Sequence, residues 1–167
     1  MTPVPGAAYE IAASVPDPEL PMLTLDDLGV LRRVEEHEDR VTVVITPTYS
    51  GCPALATMRD DLVQRLTAAG YGAVRVEVEL SPAWSTDWIS ERGRRALAGA
   101  GIAPPLPAPA RPAGPVPLRL VPAARELSCP LCQSPAVQLI SEFGPTPCAA
   151  MYKCESCASP FLYVKEI

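Results

Sequence analysis

Eight of the nineteen residues from 104 to 122 are proline. Such a segment forms neither a helix nor a central strand, because each proline fixes φ and removes an N–H donor. It favours extended polyproline II, a semi-rigid spacer that at ~3.1 Å per residue reaches roughly 60 Å when fully extended. The chain is therefore expected to fold as two separate units, residues 1–103 and 123–167, joined by a linker over 104–122. With 167 residues there is room for one ordinary domain and something smaller.

The tail carries two C-x2-C pairs, Cys129-Pro130-Leu131-Cys132 and Cys154-Glu155-Ser156-Cys157. Each pair can present two thiolates from one tight turn, and two pairs complete a tetrahedral four-sulfur site. That donor set suits zinc first and iron second. Val137–Ser141 and Phe161–Val164 read as short strands around it, the arrangement of a zinc ribbon. With four aromatics and few aliphatics the tail has too little core to fold alone, so metal is expected to supply much of its folding free energy. A closed four-cysteine site leaves no open position for chemistry. Cys148 lies outside both pairs; it is either packed in the ribbon, a second reactive thiol or a competing ligand.

The first hundred residues alternate helical and strand patterns. Residues 7–15 read as a short helix, with Tyr9, Ile11 and Val15 available for packing and Pro16 as its stop. A strand is expected over about 28–35, an acidic turn over 35–39, and a clear β-branched strand over 40–46, the two strands forming a hairpin. Leu55, Met58, Leu62, Leu66 and Ala69 recur at helical spacing, and Gly70 closes that helix. Val74, Val76, Val78 and Leu80 alternate with charged residues as a half-buried strand. A last helix runs from Ser85 or Thr86, the candidate N-caps, to about Ala100. This is a small two-layer α+β domain.

The junction between the second strand and the long helix is Thr46-Pro-Thr-Tyr-Ser-Gly-Cys52-Pro53. Proline is favoured at the first helical position, which makes Cys52 the expected N-cap. A thiol there faces unpaired N–H groups and the positive end of the helix dipole, which lowers its pKa. The alternative is a small, half-buried cysteine at a turn. Upstream, Asp17-Pro18-Glu19-Leu20-Pro21 is a rigid turn. Its carboxylates either bond nearby backbone N–H groups or are held stiffly near Cys52.

Several function classes are excluded. Residues 1–103 hold nine arginines and no lysine against fifteen acidic residues, net −6, and residues 104–167 are net +1. Neither half has the basic stripe of a nucleic-acid binder. The single histidine, His37, is expected in a solvated acidic loop, and one histidine cannot build a facial-triad or ferritin-like di-iron site. No G-x-G-x-x-G run offers a dinucleotide site. No apolar run is long enough to span a membrane, and the N-terminus lacks the regions of a signal peptide, so the expected location is cytoplasmic. Six cysteines in that setting point to metal or thiol chemistry. Cys52 has no visible general-base partner for enzymatic thiol chemistry.

Asp17-Pro18-Glu19-Leu20-Pro21, Leu28-Gly29, Thr48-Tyr49-Ser50-Gly51-Cys52-Pro53 and Ser81-Pro82-Ala83-Trp84 together resemble the iron–sulfur assembly family that includes the SufT proteins. In the tail, Phe143-Gly144, Thr146, Cys148, Ala150, Tyr152, Cys154, Cys157 and Pro160-Phe161 narrow the resemblance. The combination is similar to the D subunits of phenylacetyl-CoA epoxidase systems, which act in phenylacetate degradation. Ala149 departs from that pattern, where many relatives carry lysine beside the cysteine matching Cys148. The resemblance implies an iron–sulfur-assembly-type domain followed by a zinc ribbon. It implies an accessory protein rather than an enzyme, one that matures or delivers a metal centre, iron or iron–sulfur, to the oxygenase or reductase subunits. The alternative is a structural docking subunit of the oxygenase complex. Structural zinc on Cys129, Cys132, Cys154 and Cys157, transient iron or iron–sulfur at Cys52 with Asp17, Glu19 and Thr48 as partners, and Cys148 as a secondary thiol complete the expected site residues. The expected partners are the other epoxidase subunits, with a homodimer in reserve.

Overall fold

The computed structural model describes residues 6–107 and 126–166. It divides into two compact units, with the division between Leu97 and Ala98. The expected boundary lay after Ala103; residues 102–103 instead hydrogen-bond as a strand of the second unit. Residues 108–122 of the expected linker lie outside the described residues.

The first unit runs α1 (Ala7–Ala13), β1 (Leu31–His37), β2 (Arg40–Ile45), α2 (Leu55–Ala68), β3 (Ala73–Val78), a 3-10 turn at Thr86–Trp88 and α3 (Glu91–Gly99), within whose last turn the division falls. β1 and β2 form the expected antiparallel hairpin, from Leu31 opposite Ile45 to His37 opposite Arg40. β3 lies parallel to β2, from Arg40 opposite Ala73 to Ile45 opposite Val78. The sheet order is β1-β2-β3. Parallel neighbours cannot be joined by a tight turn, so α2 makes the crossover. It buries Met58, Leu62 and Leu66, one per turn along a single stripe. Full burial of a leucine contributes ~1.5–3 kcal/mol. Val41, Val43 and Ile45 of β2 share one sheet face and are almost wholly enclosed.

The end of α2 follows from its sequence. Gly70, at φ +102°, takes a left-handed conformation that any Cβ would disfavour. Its N–H reaches Thr67 O at 3.0 Å and the next N–H, of Tyr71, reaches Leu66 O at 3.3 Å. This paired closure satisfies two otherwise orphaned carbonyls and folds Tyr71, 1% exposed, under the helix.

Four details differ from the sequence reading. The hairpin turn is only Glu38-Asp39, so Glu35, Glu36 and the exposed His37 belong to β1. α1 packs through Ala8 and Ala12, one turn apart, while Tyr9 stays exposed and donates to Asp26 Oδ1 at 2.8 Å. The last helix is broken in two: Ser85 caps the 3-10 turn, accepting from Asp87 N, and Ser90 Oγ accepts from Gly93 N at 2.9 Å to start α3. Of the four alternating apolar residues expected in the third strand, Leu80 lies beyond the end of β3 and only Val76 is buried; Val78 and Leu80 are 37% and 56% exposed.

The second unit is a sheet of β4 (Ile102–Ala103), β5 (Val137–Ser141), β6 (Ala149–Cys154) and β7 (Pro160–Val164), in the order β4-β7-β6-β5. β6 was not legible in sequence; it bonds antiparallel to both β5 and β7. Tyr152 stacks on Phe161 and meets Tyr163 edge-on, both at 5.9 Å between centroids. These rings pack with Leu127, Ala150 and the two cysteines Cys129 and Cys154 as one small core. No helix among the described residues is long and apolar enough to cross a membrane.

Candidate functional site

The two C-x2-C segments fold as copies of one turn. In each, the first cysteine donates its N–H to a serine carbonyl five residues on: Cys129 to Ser134 and Cys154 to Ser159, both at 2.9 Å. In each, the residue after the second cysteine turns left-handed, Gln133 at φ 62° and Ala158 at φ 60°. The copies face each other, tied by Ser134 Oγ and Ser156 Oγ at 2.7 Å. All four Sγ atoms lie within 4.8 Å of one another.

This donor set fits zinc. A tetrahedron with Zn–S bonds of about 2.3 Å has edges of about 3.8 Å. Cys129 Sγ to Cys157 Sγ measures 3.8 Å and Cys132 Sγ to Cys154 Sγ 3.5 Å. The four thiols are unequal acids. For Cys132, a backbone N–H of Ser134 pulls the pKa down, but contacts with Cys154, desolvation and the other two thiols push it up to about 12. The backbone N–H and hydroxyl of Ser159 hold Cys157 down at about 6. A divalent cation bound there would supply the charge that lets all four ionise, and its binding would expel protons. Cys148 lies outside the group. It is half-buried, with Sγ 3.1 Å from Thr146 Oγ1.

In the first unit three segments leave the sheet at one end. Leu31, Ile45 and Val78 are register neighbours there, so residues 14–30, 46–54 and 79–90 all converge on that end. Cys52 lies in the second segment, 9% exposed. It is not the N-cap of α2. The cap is Ala54, and Cys52 joins two successive turns, donating its N–H to Tyr49 O and accepting from Leu55 N, both at 3.2 Å. Pro53 and Ala54 spend one more turn before the helix begins, which moves the thiol off the helix start. Thr48 is half-buried in the same loop.

Asp17 is 4% exposed. Its Oδ1 accepts from Glu19 N at 2.9 Å and Leu20 N at 2.7 Å, the self-capped turn that the two prolines allow. Burial raises its pKa, and the two N–H groups offset part of that rise. Burial raises Glu19 as well, followed by the charge of Asp17. Among the described residues, the ribbon cysteines are the only group of three or more such side chains close enough to hold one ion. Cys52, Asp17 and Glu19 therefore do not form a three-ligand site within one chain.

Sequence reasoning missed the residue that ties this end of the unit together. Asp27 is 3% exposed. Its Oδ1 accepts from Ser90 Oγ and Arg92 Nε, both at 2.8 Å, and its Oδ2 from Thr24 Oγ1 at 3.2 Å. Asp27 N in turn donates to Thr24 Oγ1 at 3.1 Å. The signal was present as Thr24-x-x-Asp27, a reciprocal capping pattern. Burial acts to raise the Asp27 pKa, but the bonds from Ser90, Thr24 and Arg92 outweigh it and the net shift is downward. A depressed carboxylate contributes stability above its unfolded pKa, roughly 3.9, and that contribution fades as pH falls through the folded value. Asp27→Asn should destabilise the first unit by about 1–3 kcal/mol at neutral pH, read by denaturant titration. The gap to wild type should narrow in acid; a pH-independent gap would count against ionised Asp27 as the hub.

Two families match this chain in order. Residues 10–86 match the iron-sulfur cluster assembly protein family and residues 113–165 match the PaaD zinc beta ribbon domain. A solved domain of unknown function, DUF59, from Bacillus anthracis is 26% identical, with a TM-score of 0.51 over 55% of this chain and 88% of that one. A protein of Escherichia coli K12 is 40% identical over 98% of this chain and 96% of its own length, and is provisionally named as the D subunit of 1,2-phenylacetyl-CoA epoxidase. With both domains matched in order and that identity over nearly the whole length, the chain belongs to the family of 1,2-phenylacetyl-CoA epoxidase D subunits.

Proposed function

We propose that this protein is a non-catalytic accessory subunit that matures a metal centre, iron or iron–sulfur, in the oxygenase or reductase subunits of a phenylacetyl-CoA epoxidase. It works in the cytoplasm, where its six cysteines stay reduced. Cys52 carries the reading. It is a nearly buried thiol at the end of the sheet where three loops converge, inside the segment that matches the iron–sulfur assembly family. One thiol without a three-ligand set suits brief custody of iron, with further ligands from the client, rather than storage. Asp17, Glu19 and Thr48 shape the approach to that thiol, and Cys148 plays no part in the ribbon's metal site.

A Cys52→Ser variant tests the proposal. It should fold normally, keep its ribbon zinc and still bind its partners, yet cells expressing it should yield an epoxidase short of iron and inactive. An epoxidase from those cells that is metal-replete and active would sink the idea. Anaerobically purified wild type, assayed for metals and acid-labile sulfide, should show iron or sulfide lost on Cys52→Ser while zinc is unchanged.

The exposed Ile140 and Phe143 of the second unit, 53% and 71% accessible, favour a second reading as a purely structural docking subunit. That reading has the epoxidase complex assemble and work without regard to Cys52, but come apart on Phe143→Ser. Size-exclusion chromatography of co-expressed subunits separates the two.

A further inference from the structure

The two edges of the first unit's sheet are unlike. β1 carries an irregular register between Leu31 and Arg33 and a run of charged side chains. Bulges and charges are the usual guards against strand pairing. β3, the opposite edge, is in regular register along its whole length and holds no proline, lysine or bulge. Among the described residues it pairs with β2 alone.

Its backbone orientation follows from its end bonds. Ala73 N donates to Asp39 O at 3.2 Å and Glu79 N to Ile45 O at 3.0 Å, both on the β2 side. Successive residues of a strand turn their polar groups to opposite edges, so 73, 75, 77 and 79 serve β2. Val74, Val76 and Val78 then turn N–H and C=O to the free edge.

The edge reads Val74-Arg75-Val76-Glu77-Val78, which is its own charge complement about Val76. We propose that two copies of this chain associate through β3, antiparallel and centred on Val76, joining two three-stranded sheets into one of six strands. Val76 then exchanges both hydrogen bonds with Val76 of the second copy, and Val74 does so with its Val78. Arg75 falls opposite the second copy's Glu77, and Glu77 opposite its Arg75. These are the non-hydrogen-bonded positions, where Cα atoms approach to about 4.5 Å and side chains are closest. Arg75 and Glu77 already pair along their own strand at 2.9 Å, with side chains 77% and 38% exposed. The two copies' pairs close into one ring of four alternating charges.

A groove of about 790 Å³ runs between α2 and this edge, lined from the helix by Ala56, Arg59, Asp60 and Val63. Pairing covers it, together with the exposed Val63 and Val78. This accounts for a strand with an inward-facing apolar pattern that stays wet in the single chain. Antiparallel pairing also turns the two Cys52-bearing sheet ends in opposite directions. The second copy is then no source of a shared ligand for Cys52.

Sedimentation equilibrium of the full zinc-loaded chain is the test. Wild type should reach twice the 17.8 kDa of one chain. Arg75→Glu and Glu77→Arg, alone, each set like charges opposite each other at both symmetric positions and should weaken dimerisation roughly tenfold or more. The double variant R75E/E77R restores complementarity and should recover the wild-type dissociation constant. Equal denaturant midpoints, followed by Trp84 and Trp88 at concentrations low enough that wild type and variants are all monomeric, confirm that the variants fold. Amide exchange at Val74, Val76 and Val78 should slow only at concentrations where the dimer forms. A wild type that stays monomeric, single variants that dimerise like wild type, or a double variant as weak as the singles would overturn the proposal. So would β3 protection that requires a different protein, since that assigns the edge to another occupant.

Discussion

Removing zinc with a strong chelator should unfold the second unit and leave the first intact. The reason is the size of the core against the strength of the staple. One small cluster of aromatic rings and small side chains, with two cysteine ligands among its members, is what the sheet β4-β7-β6-β5 packs on. Cys129 and Cys154 are completely buried and belong to that core, so a metal held by the four sulfurs would fix both turns at once. Structural zinc in comparable small domains contributes about 10–16 kcal/mol of apparent binding free energy, more than such a core supplies. Both tryptophans, Trp84 and Trp88, lie in the first unit, so their fluorescence should not change on chelation. Amide exchange in β5, β6 and β7 should rise to that of an unfolded chain, with one zinc released per molecule. Cys154→Ser should behave the same way and Cys148→Ser should not. Strand protection that persists in the metal-free protein would show that the core suffices by itself.

The second large effect is expected at Gly29. Its φ is +67°, and a Cβ placed there would lie 2.6 Å from Trp88 Cβ and 2.8 Å from Trp88 O. The left-handed conformation costs a non-glycine residue about 1–2 kcal/mol. The overlap involves backbone and the base of a side chain, neither of which can swing away, and overpacking of this kind costs about 1–3 kcal/mol more. Gly29→Ala should therefore destabilise the first unit by roughly 2–5 kcal/mol, a large share of the 5–15 kcal/mol that holds a typical domain. Gly6, at φ +81° with nothing within 4 Å of its virtual Cβ, provides the comparison, since Gly6→Ala isolates the backbone contribution. Denaturant curves followed by tryptophan fluorescence should show a clearly larger loss for Gly29→Ala. Equal losses would mean that the Trp88 contact gives way easily.

The ribbon's metal site and the helix α2 were legible because each has a short-range signature. Two C-x2-C pairs need only a tight turn each, and Met58, Leu62 and Leu66 repeat within a few turns. Features that depend on a partner distant in sequence were not. β6 begins with Ala149-Ala150, poor strand formers, and exists because β5 and β7 bond to either side of it. Two residues, Ile102 and Ala103, become a strand only by pairing with Leu162 and Tyr163. The last helix pattern is interrupted at Ile89-Ser90 because Asp27, far upstream, accepts from the Ser90 hydroxyl while its carbonyl takes the Ser90 N–H at 2.8 Å. The placement of Cys52 shows the limit of a local rule. Pro53 is compatible with a first helical position, but the Tyr49–Cys52 turn and the one after it use up the residues through Ala54.

The two metal-binding turns bury their first cysteines and expose their second, Cys132 and Cys157. A zinc ion held by these four sulfurs would be shielded by the two buried cysteines and reachable from solvent through the two exposed ones. Peroxide or another soluble oxidant meets those two sulfurs first. Conversion of either to a sulfenic acid removes one ligand from a site that has no spare. With only three of Cys129, Cys132, Cys154 and Cys157 left as thiolates, a zinc ion would be held more weakly, and the sheet that depends on it would loosen. The integrity of the second unit would therefore follow the redox state of the solution around it.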